Sequence, residues 1–220
     1  MGRPSKGIFI AFEGGEGCGK TTQIQLLAKT LEAHHLPFVG AHEPGGTALG
    51  ESIRAILLHK QQNPEVPFYP ETELLLFAAS RAQLVREVIQ PALQEKKIVL
   101  CDRFTDSTLV YQGIARHLSH DIIQAINAIA VNTTFPTLTF ILDLPPEESH
   151  RRILQRNKNR LDRIESESMD FYRAVRDGYL QLAQADPTNK IVLDGLQDSK
   201  TLAARIWNTV QERFLSDPDA

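Results

Sequence analysis

The run Gly14-Gly15-Glu16-Gly17-Cys18-Gly19-Lys20-Thr21 constrains this chain more than any other stretch. It fits G-x-x-x-x-G-K-[ST], a phosphate-binding loop. Ahead of it lies Gly7-Ile8-Phe9-Ile10-Ala11-Phe12, a short apolar run with the character of a buried parallel strand. Behind it, Thr22 to Leu31 carries apolar residues at helical spacing. Strand, glycine loop and helix form the context this motif requires, and a plain helix-capping turn meets it much less easily. Glycines let successive backbone N–H groups turn inward around an anion. The helix N-terminus adds partial positive charge, Lys20 a full charge, and Thr21 a hydroxyl for Mg²⁺. The expectation is a nucleoside triphosphate held by Gly14, Gly15, Glu16, Gly17, Cys18, Gly19, Lys20, Thr21 and Thr22.

Helical and strand patterns alternate along the rest of the chain. Strands are expected at Ile8–Phe12, Pro37–Ala41, Ile98–Cys101, Leu138–Asp143 and Ile191–Asp194. Helices are expected at Lys20–His34, Ala48–His59, Thr72–Gln94, Ile122–Val131, Pro146–Arg156, Ser168–Ala185 and Ser199–Phe214. This alternation predicts an α/β fold, a five-stranded parallel sheet flanked by helices on both faces. Functional groups should gather just past the carboxyl ends of its strands. The glycine loop, His42 to Thr47, and Asp102-Arg103 all fall there.

Asp102 closes the apolar run Ile98-Val99-Leu100-Cys101, the Walker B arrangement for Mg²⁺, and Arg103 follows into the same cleft. Glu43-Pro44-Gly45-Gly46-Thr47 is a sharp turn with Thr47 as a helix N-cap, and from composition alone it is as compatible with structure as with binding. Arg54 either points back to the cleft or solvates the surface. Phe77 and Arg81 share a helix face at i, i+4. They could stack on and hydrogen-bond a base, or form a core Phe with a snorkelling Arg, the commoner origin of such pairs. Ser107 to Gly113 supplies hydroxyls and an amide on a helical turn. The basic cluster Arg151 to Arg163 admits three readings: a solvated face, a nucleic-acid patch, or a lid over phosphates. Glu165, Glu167 and Asp170 follow at once and argue against the nucleic-acid track, so the lid leads.

With 220 residues the chain suits one domain, 1–220, with the lid at about 151–165. The net charge of −3 implies no global attraction to nucleic acid or membrane. No apolar run approaches a membrane span, and Met1 to Lys6 lacks a secretion-signal core. Two cysteines make no disulfide framework, so a reducing cytoplasm is expected. The histidines show no metal-ligand spacing. A guanine-binding Asn-Lys-x-Asp motif would indicate a switch GTPase, but Asn157-Lys158-Asn159-Arg160 lacks the aspartate.

Together the motifs resemble thymidylate kinase, of the P-loop nucleoside monophosphate kinase group. The carrying residues are Phe12-Glu13-Gly14 through Thr22, Glu43 to Thr47, Leu76 to Gln83, Asp102-Arg103-Phe104, Ser107 through Tyr111-Gln112-Gly113, and Leu161-Asp162-Arg163-Ile164-Glu165. They run in the family's order over nearly the whole chain. Glu16-Gly17 in the loop is similar to the bacterial type, whose catalytic arginines sit in the lid. The resemblance implies the three-layer P-loop NTPase fold and transfer of the ATP γ-phosphoryl to dTMP, giving dTDP and ADP with Mg²⁺, as a step in dTTP biosynthesis. It also implies a homodimer. By analogy Phe77 stacks on thymine, Arg81 donates to its O4, and Arg103, with Arg54, holds the acceptor phosphate. Glu16 orients the sugar or the acceptor, Thr108 lies near the base edge, and Tyr111 crowds the 2′ position against ribonucleotides. Glu43, Ser107 and Gln112 complete the dTMP site. Thr21 and Asp102 hold the metal. Glu16, Lys20, Arg103, Arg156, Arg160 and Arg163 are the implied catalytic set; among the lid residues Arg156, Lys158 and Arg160 stay undecided and Arg163 fits the motif best. Two positions depart from the family pattern: His42 stands where arginine is common, and Ser80 where aspartate is common. The nearest rival is a deoxynucleoside kinase of the same group.

Overall fold

The computed structural model describes residues 6–58, 68–157 and 161–216. Five strands, β1 (Ile8–Glu13), β2 (Phe38–His42), β3 (Ile98–Asp102), β4 (Leu138–Asp143) and β5 (Lys190–Asp194), form one sheet in the order β2-β3-β1-β4-β5. Every pairing is parallel, with Phe12 opposite both Asp102 on β3 and Phe140 on β4. All the expected strands are present, and their ends shift by no more than a residue.

Around the sheet lie α1 (Lys20–Ala33), α2 (Ala48–Leu58), α3 (Pro70–Leu84), α4 (Gln90–Gln94), α5 (Thr105–Thr108), α6 (His120–Val131), α7 (Pro146–Asn157), α8 (Met169–Ala185) and α9 (Ser199–Val210). α3 runs into α4 through a π-helical turn, Val85–Ile89, so the expected single helix Thr72–Gln94 is one continuous rod with a widened turn. Pro91 has no N–H to donate, and in the turn before it Gln90 N–H reaches the Val85 carbonyl. The expected end of the second helix, His59, lies outside the described residues. Ser107 to Gly113 becomes α5 plus a second π-helical stretch, Leu109–Ala115.

Alternation along the strands sorts the core into two layers. Ile8, Ile10, Phe12, Leu100 and Phe140 pack with Leu27 and Leu31 of α1 and with Ile206 and Val210 of α9; Cys18 joins this layer. Phe9, Ala11, Val99 and Cys101 face the other way, towards Ala78 and Leu84 of α3 and Val131 of α6. Tyr111, Val175 and Tyr179 extend that second layer over Ile141. Both faces of β1 are buried, and so is its last residue, Glu13, at 0% exposure. An acid with no access to water needs partners, and those partners organise the site.

Candidate active site

At the carboxyl end of β1 the chain turns through Gly14 (φ 130°), Gly17 (φ 68°) and Gly19 (φ 99°). A Cβ on Gly14 would stand 2.4 Å from the Leu142 carbonyl oxygen, so the turn needs glycine for space as well as for its dihedral. Gly19 caps α1 in the left-handed conformation. Ser149 of α7 donates to the Glu16 carbonyl and ties the loop to the next layer. Lys20 is buried and its ammonium donates to Gly14 O at 3.2 Å and Gly15 O at 2.8 Å.

A cavity of about 650 Å³ opens above these strand ends. Glu16, Gly17, Gly19, Lys20, Thr21 and Thr22 line it, whereas Gly14, Gly15 and Cys18 do not. The Cys18 side chain is 2% exposed and packs into the core, which leaves its backbone as the part available to a phosphate. Glu43, Arg54, Phe77, Asp102, Arg103, Ser107, Thr108, Tyr111, Gln112 and Arg156 line the same cavity.

Thr21 Oγ1 donates to Asp102 Oδ2 at 2.8 Å, which brings the end of β3 onto the first turn of α1. A hydroxyl and a carboxylate are hard oxygen donors that suit Mg²⁺, whose remaining positions go to water and phosphate. Among the described residues no cluster of three or more His, Cys, Asp or Glu side chains could hold a metal by itself.

Arg103 adopts a positive φ of 70°. Its Nη1 donates to Gly14 O at 3.0 Å, Tyr179 Oη at 3.1 Å and Ser107 Oγ at 3.2 Å, and its Nη2 to Glu16 Oε1 at 2.5 Å. Its guanidinium lies 5.0 Å from the Tyr111 ring centroid. Burial pushes the Glu16 carboxyl up, but Arg103, Lys20, Arg156 and the Tyr111 hydroxyl more than offset it, so its pKa falls below the usual value. Beneath this pair Glu13 accepts from Phe104 N at 2.7 Å, Ser107 Oγ at 2.6 Å and Tyr179 Oη at 2.8 Å. Burial, reinforced by Asp106, raises its pKa despite Arg103. Glu13 and Tyr179 therefore hold the Arg103 turn from below. Neither is given a role in the site by the sequence, although Glu13 belongs to the stretch that carries the resemblance. A lone acid ending a wholly apolar strand was the available signal for Glu13; Tyr179 had none.

Two of the expected residues stand back from the cavity wall. Arg81 is 1% exposed and does not line the cavity. Its Nε and Nη2 clasp Glu43, Nη2 also donates to Phe104 O at 3.0 Å, and Nη1 donates to Thr108 Oγ1 at 2.8 Å and Asn127 Oδ1 at 2.7 Å. An arginine has five donors, and all five are taken by protein groups. It meets the cavity wall through Thr108, because the buried Glu43 carboxylate draws it inward; burial raises the pKa of Glu43 while Arg81 lowers it. Arg163 likewise stands away from the cavity. It pairs with buried Glu73 at 2.6 Å, donates to Leu57 O at 2.8 Å and lies 4.4 Å from the Phe68 ring centroid. Arg156 does line the cavity and pairs with Glu165 at 2.6 Å. Arg152, unassigned from the sequence, lines it too, while Lys158 and Arg160 lie outside the described residues.

The two departures are each accommodated. Ser80 is fully buried and accepts from Gly45 N at 3.1 Å, which fixes the turn after β2. His42 meets Glu51 at 2.8 Å, and Glu51 also accepts from Gly46 N at 2.8 Å. Glu43-Pro44 is cis, and Arg54 donates to the Pro44 carbonyl at 2.8 Å.

A thymidylate kinase family profile matches residues 12–206. A thymidylate kinase of Kosmotoga olearia is 48% identical over 208 residues, covering 94% of this chain and 95% of that protein. One of Geobacter sulfurreducens is 47% identical over 212 residues, covering 94% and 98%. The crystal structure of thymidylate kinase from Ehrlichia chaffeensis superposes with a TM-score of 0.75 at 32% identity, covering 94% of this chain and 99% of that one. A phosphate loop, an Asp-Arg strand end and an aromatic wall facing one cavity agree with those matches, and the chain belongs to the thymidylate kinase family.

Proposed function

We propose that this chain transfers the γ-phosphoryl group of ATP to dTMP, giving dTDP and ADP, with both nucleotides meeting in the cavity above β1 and β3. The observation that carries this reading is that the triphosphate loop and the Phe77 wall border one cavity of about 650 Å³. Phosphoryl transfer asks little covalent chemistry of a protein; it asks for alignment, exclusion of water and compensation of charge.

The loop backbone from Gly14 to Gly19 cradles the phosphates, and Lys20 follows their charge. Mg²⁺ held by Thr21 and Asp102 would neutralise charge on the phosphates. Arg103, fixed between Glu16 and the Glu13–Tyr179 support, grips the acceptor phosphate, with Arg54 beside it. Glu16 and Tyr111 orient the deoxyribose, and Tyr111 crowds a 2′ hydroxyl. Phe77 stacks on the base, Thr108 and Gln112 lie at its edge, and Ser107 and Glu43 act as supports. Arg156, and Arg160 outside the described residues, supply lid charge over the transferring group, within a single domain whose lid spans about 151–165.

Cytoplasmic residence is supported by two cysteines that remain free thiols. No helix among the described residues is long and apolar enough to cross a membrane. A homodimer is supported by exposed Leu49 and Ile56 on α2, Leu75 on α3 and Ile129 on α6.

The test is an acceptor panel with ATP, with and without Mg²⁺. Expected are dTDP from dTMP, about 10–200-fold weaker use of dUMP for the missing methyl, and near-inert dCMP. Turnover unaffected by chelation, or equal rates with dCMP and dTMP, would overturn the assignment.

A further inference from the structure

The amide of Gln112 has a fixed orientation, and the residue that fixes it is Glu73. Glu73 sits on α3, one turn before Phe77, and is 1% exposed. Gln112 is equally buried and lines the substrate cavity. Gln112 Nε2 lies 2.6 Å from Glu73 Oε1. The same carboxylate is met by Arg163 at 2.6 Å and by Arg116 at 3.4 Å. A carboxylate between two guanidinium groups offers lone pairs only, so the Gln112 atom facing it must be the N–H₂ donor. The free end of the amide is then Oε1, an acceptor that takes a hydrogen bond from no described residue.

We propose that Glu73 is a specificity-positioning residue: it locks the Gln112 amide with Oε1 towards the base, so the cavity accepts a pyrimidine carrying a proton on N3 and repels one carrying a lone pair there. This deepens the dTMP reading and rests on it. Thymine and uracil present N3–H; cytosine presents a bare N3. Thr108 reinforces the choice less strictly. Its oxygen accepts from Arg81, which leaves its O–H free to reach a 4-oxo group, but its second lone pair could still take a proton from an amino group. Gln112 has no equivalent freedom while Glu73 holds its nitrogen. The discriminating power therefore comes from a side chain that does not line the cavity.

The experiment compares kcat and KM for dTMP, dUMP and dCMP in the wild type, Glu73→Gln, Glu73→Asp and Arg116→Met, with melting curves for each. Glu73→Gln lets the Gln112 amide turn over, because the new partner can accept or donate. Glu73→Asp keeps the charge that Arg163 and Arg116 need but withdraws it by a methylene, so it covers the case in which the first variant fails to fold. Both should narrow the dTMP-to-dCMP ratio of kcat/KM by about tenfold or more, the scale of a hydrogen bond turned from attraction to repulsion, chiefly through KM. The dTMP-to-dUMP ratio, set by the methyl group, should stay put. Arg116→Met, which removes a different partner of the same carboxylate, should leave both ratios unchanged. A folded Glu73 variant with the wild-type dTMP-to-dCMP ratio overturns the proposal, and so does an equal loss in Arg116→Met. A wild type that does not use dTMP would instead refute the functional reading itself.

Discussion

Replacing Arg81 by methionine breaks a buried ion pair from one side. Arg81 and Glu43 are 1% and 3% exposed in their side chains and 2.5 Å apart. Methionine keeps much of the stem and removes every donor, which leaves the Glu43 carboxylate buried without its counter-charge. Breaking a buried pair from one side costs about 3–5 kcal/mol. For a chain of this length each kcal/mol moves Tm by about 2–4 °C, so Arg81→Met should melt about 6–20 °C below the wild type by calorimetry. The loss should depend on pH. Burial already raises the Glu43 pKa and Arg81 pulls it down, so without Arg81 it rises further. The folded variant then keeps a proton that the unfolded chain, with a glutamate pKa of about 4.3, has released. Its stability therefore falls as pH climbs from about 4.3 through the raised folded value, and the deficit against wild type is smaller at pH 5 than at pH 8. Adding Glu43→Met should restore part of the lost Tm by removing the stranded charge, giving a favourable coupling of about 1–3 kcal/mol in a double-mutant cycle. An Arg81→Met protein melting within about 2 °C of wild type, or a double variant less stable than the single one, would refute this reasoning.

Other expectations follow from the same contacts. Tyr179→Phe removes a hydroxyl shared by Glu13, Ser107 and Arg103, and should cost about 1–3 kcal/mol in chemical denaturation. The same change should lower turnover by up to about 10²-fold as the acceptor-side arginine loses its seat, whereas unchanged kinetics would free Arg103 from that support. Ser80→Ala deprives the buried Gly45 N–H of its acceptor and should cost about 1–3 kcal/mol, measurable as a lower denaturant midpoint. Glu148 accepts from Arg151 and Arg152 and its pKa is lowered to about 2. Its contribution to stability is present above the unfolded glutamate pKa and fades as pH falls towards about 2, and carboxyl NMR titration reads the value directly.

What the chain discloses in one dimension follows the range of the interactions concerned. The phosphate loop, the Asp102 strand end and all the strands depend on neighbours in sequence, and these were legible. The glycine loop announces itself because backbone geometry imposes its composition. Side-chain direction was less legible. Phe77 and Arg81 do share a helix face by spacing, yet Glu43, 38 positions earlier, draws the guanidinium into the interior. Arg163 belongs to a basic cluster that suits a lid, but a buried acid on α3 captures it. In both cases a long-range carboxylate outcompetes the cavity for a flexible cation, and helical periodicity carries no trace of that contest. The roles of Glu13, Glu73 and Tyr179 were hidden for a related reason: each acts through partners far along the chain.

The two cysteines lie in layers separated by the thickness of the sheet, Cys18 against α1 and α9 and Cys101 against α3 and α6. No local breathing can bring the sulfurs together, so oxidants have no intramolecular route to cross-link this enzyme. Burial also drives the Cys101 thiol well above its ordinary pKa, which leaves little thiolate for an alkylating reagent. Maleimide uptake at Cys101 thus becomes a built-in gauge of global opening, available without adding a dye or a tag.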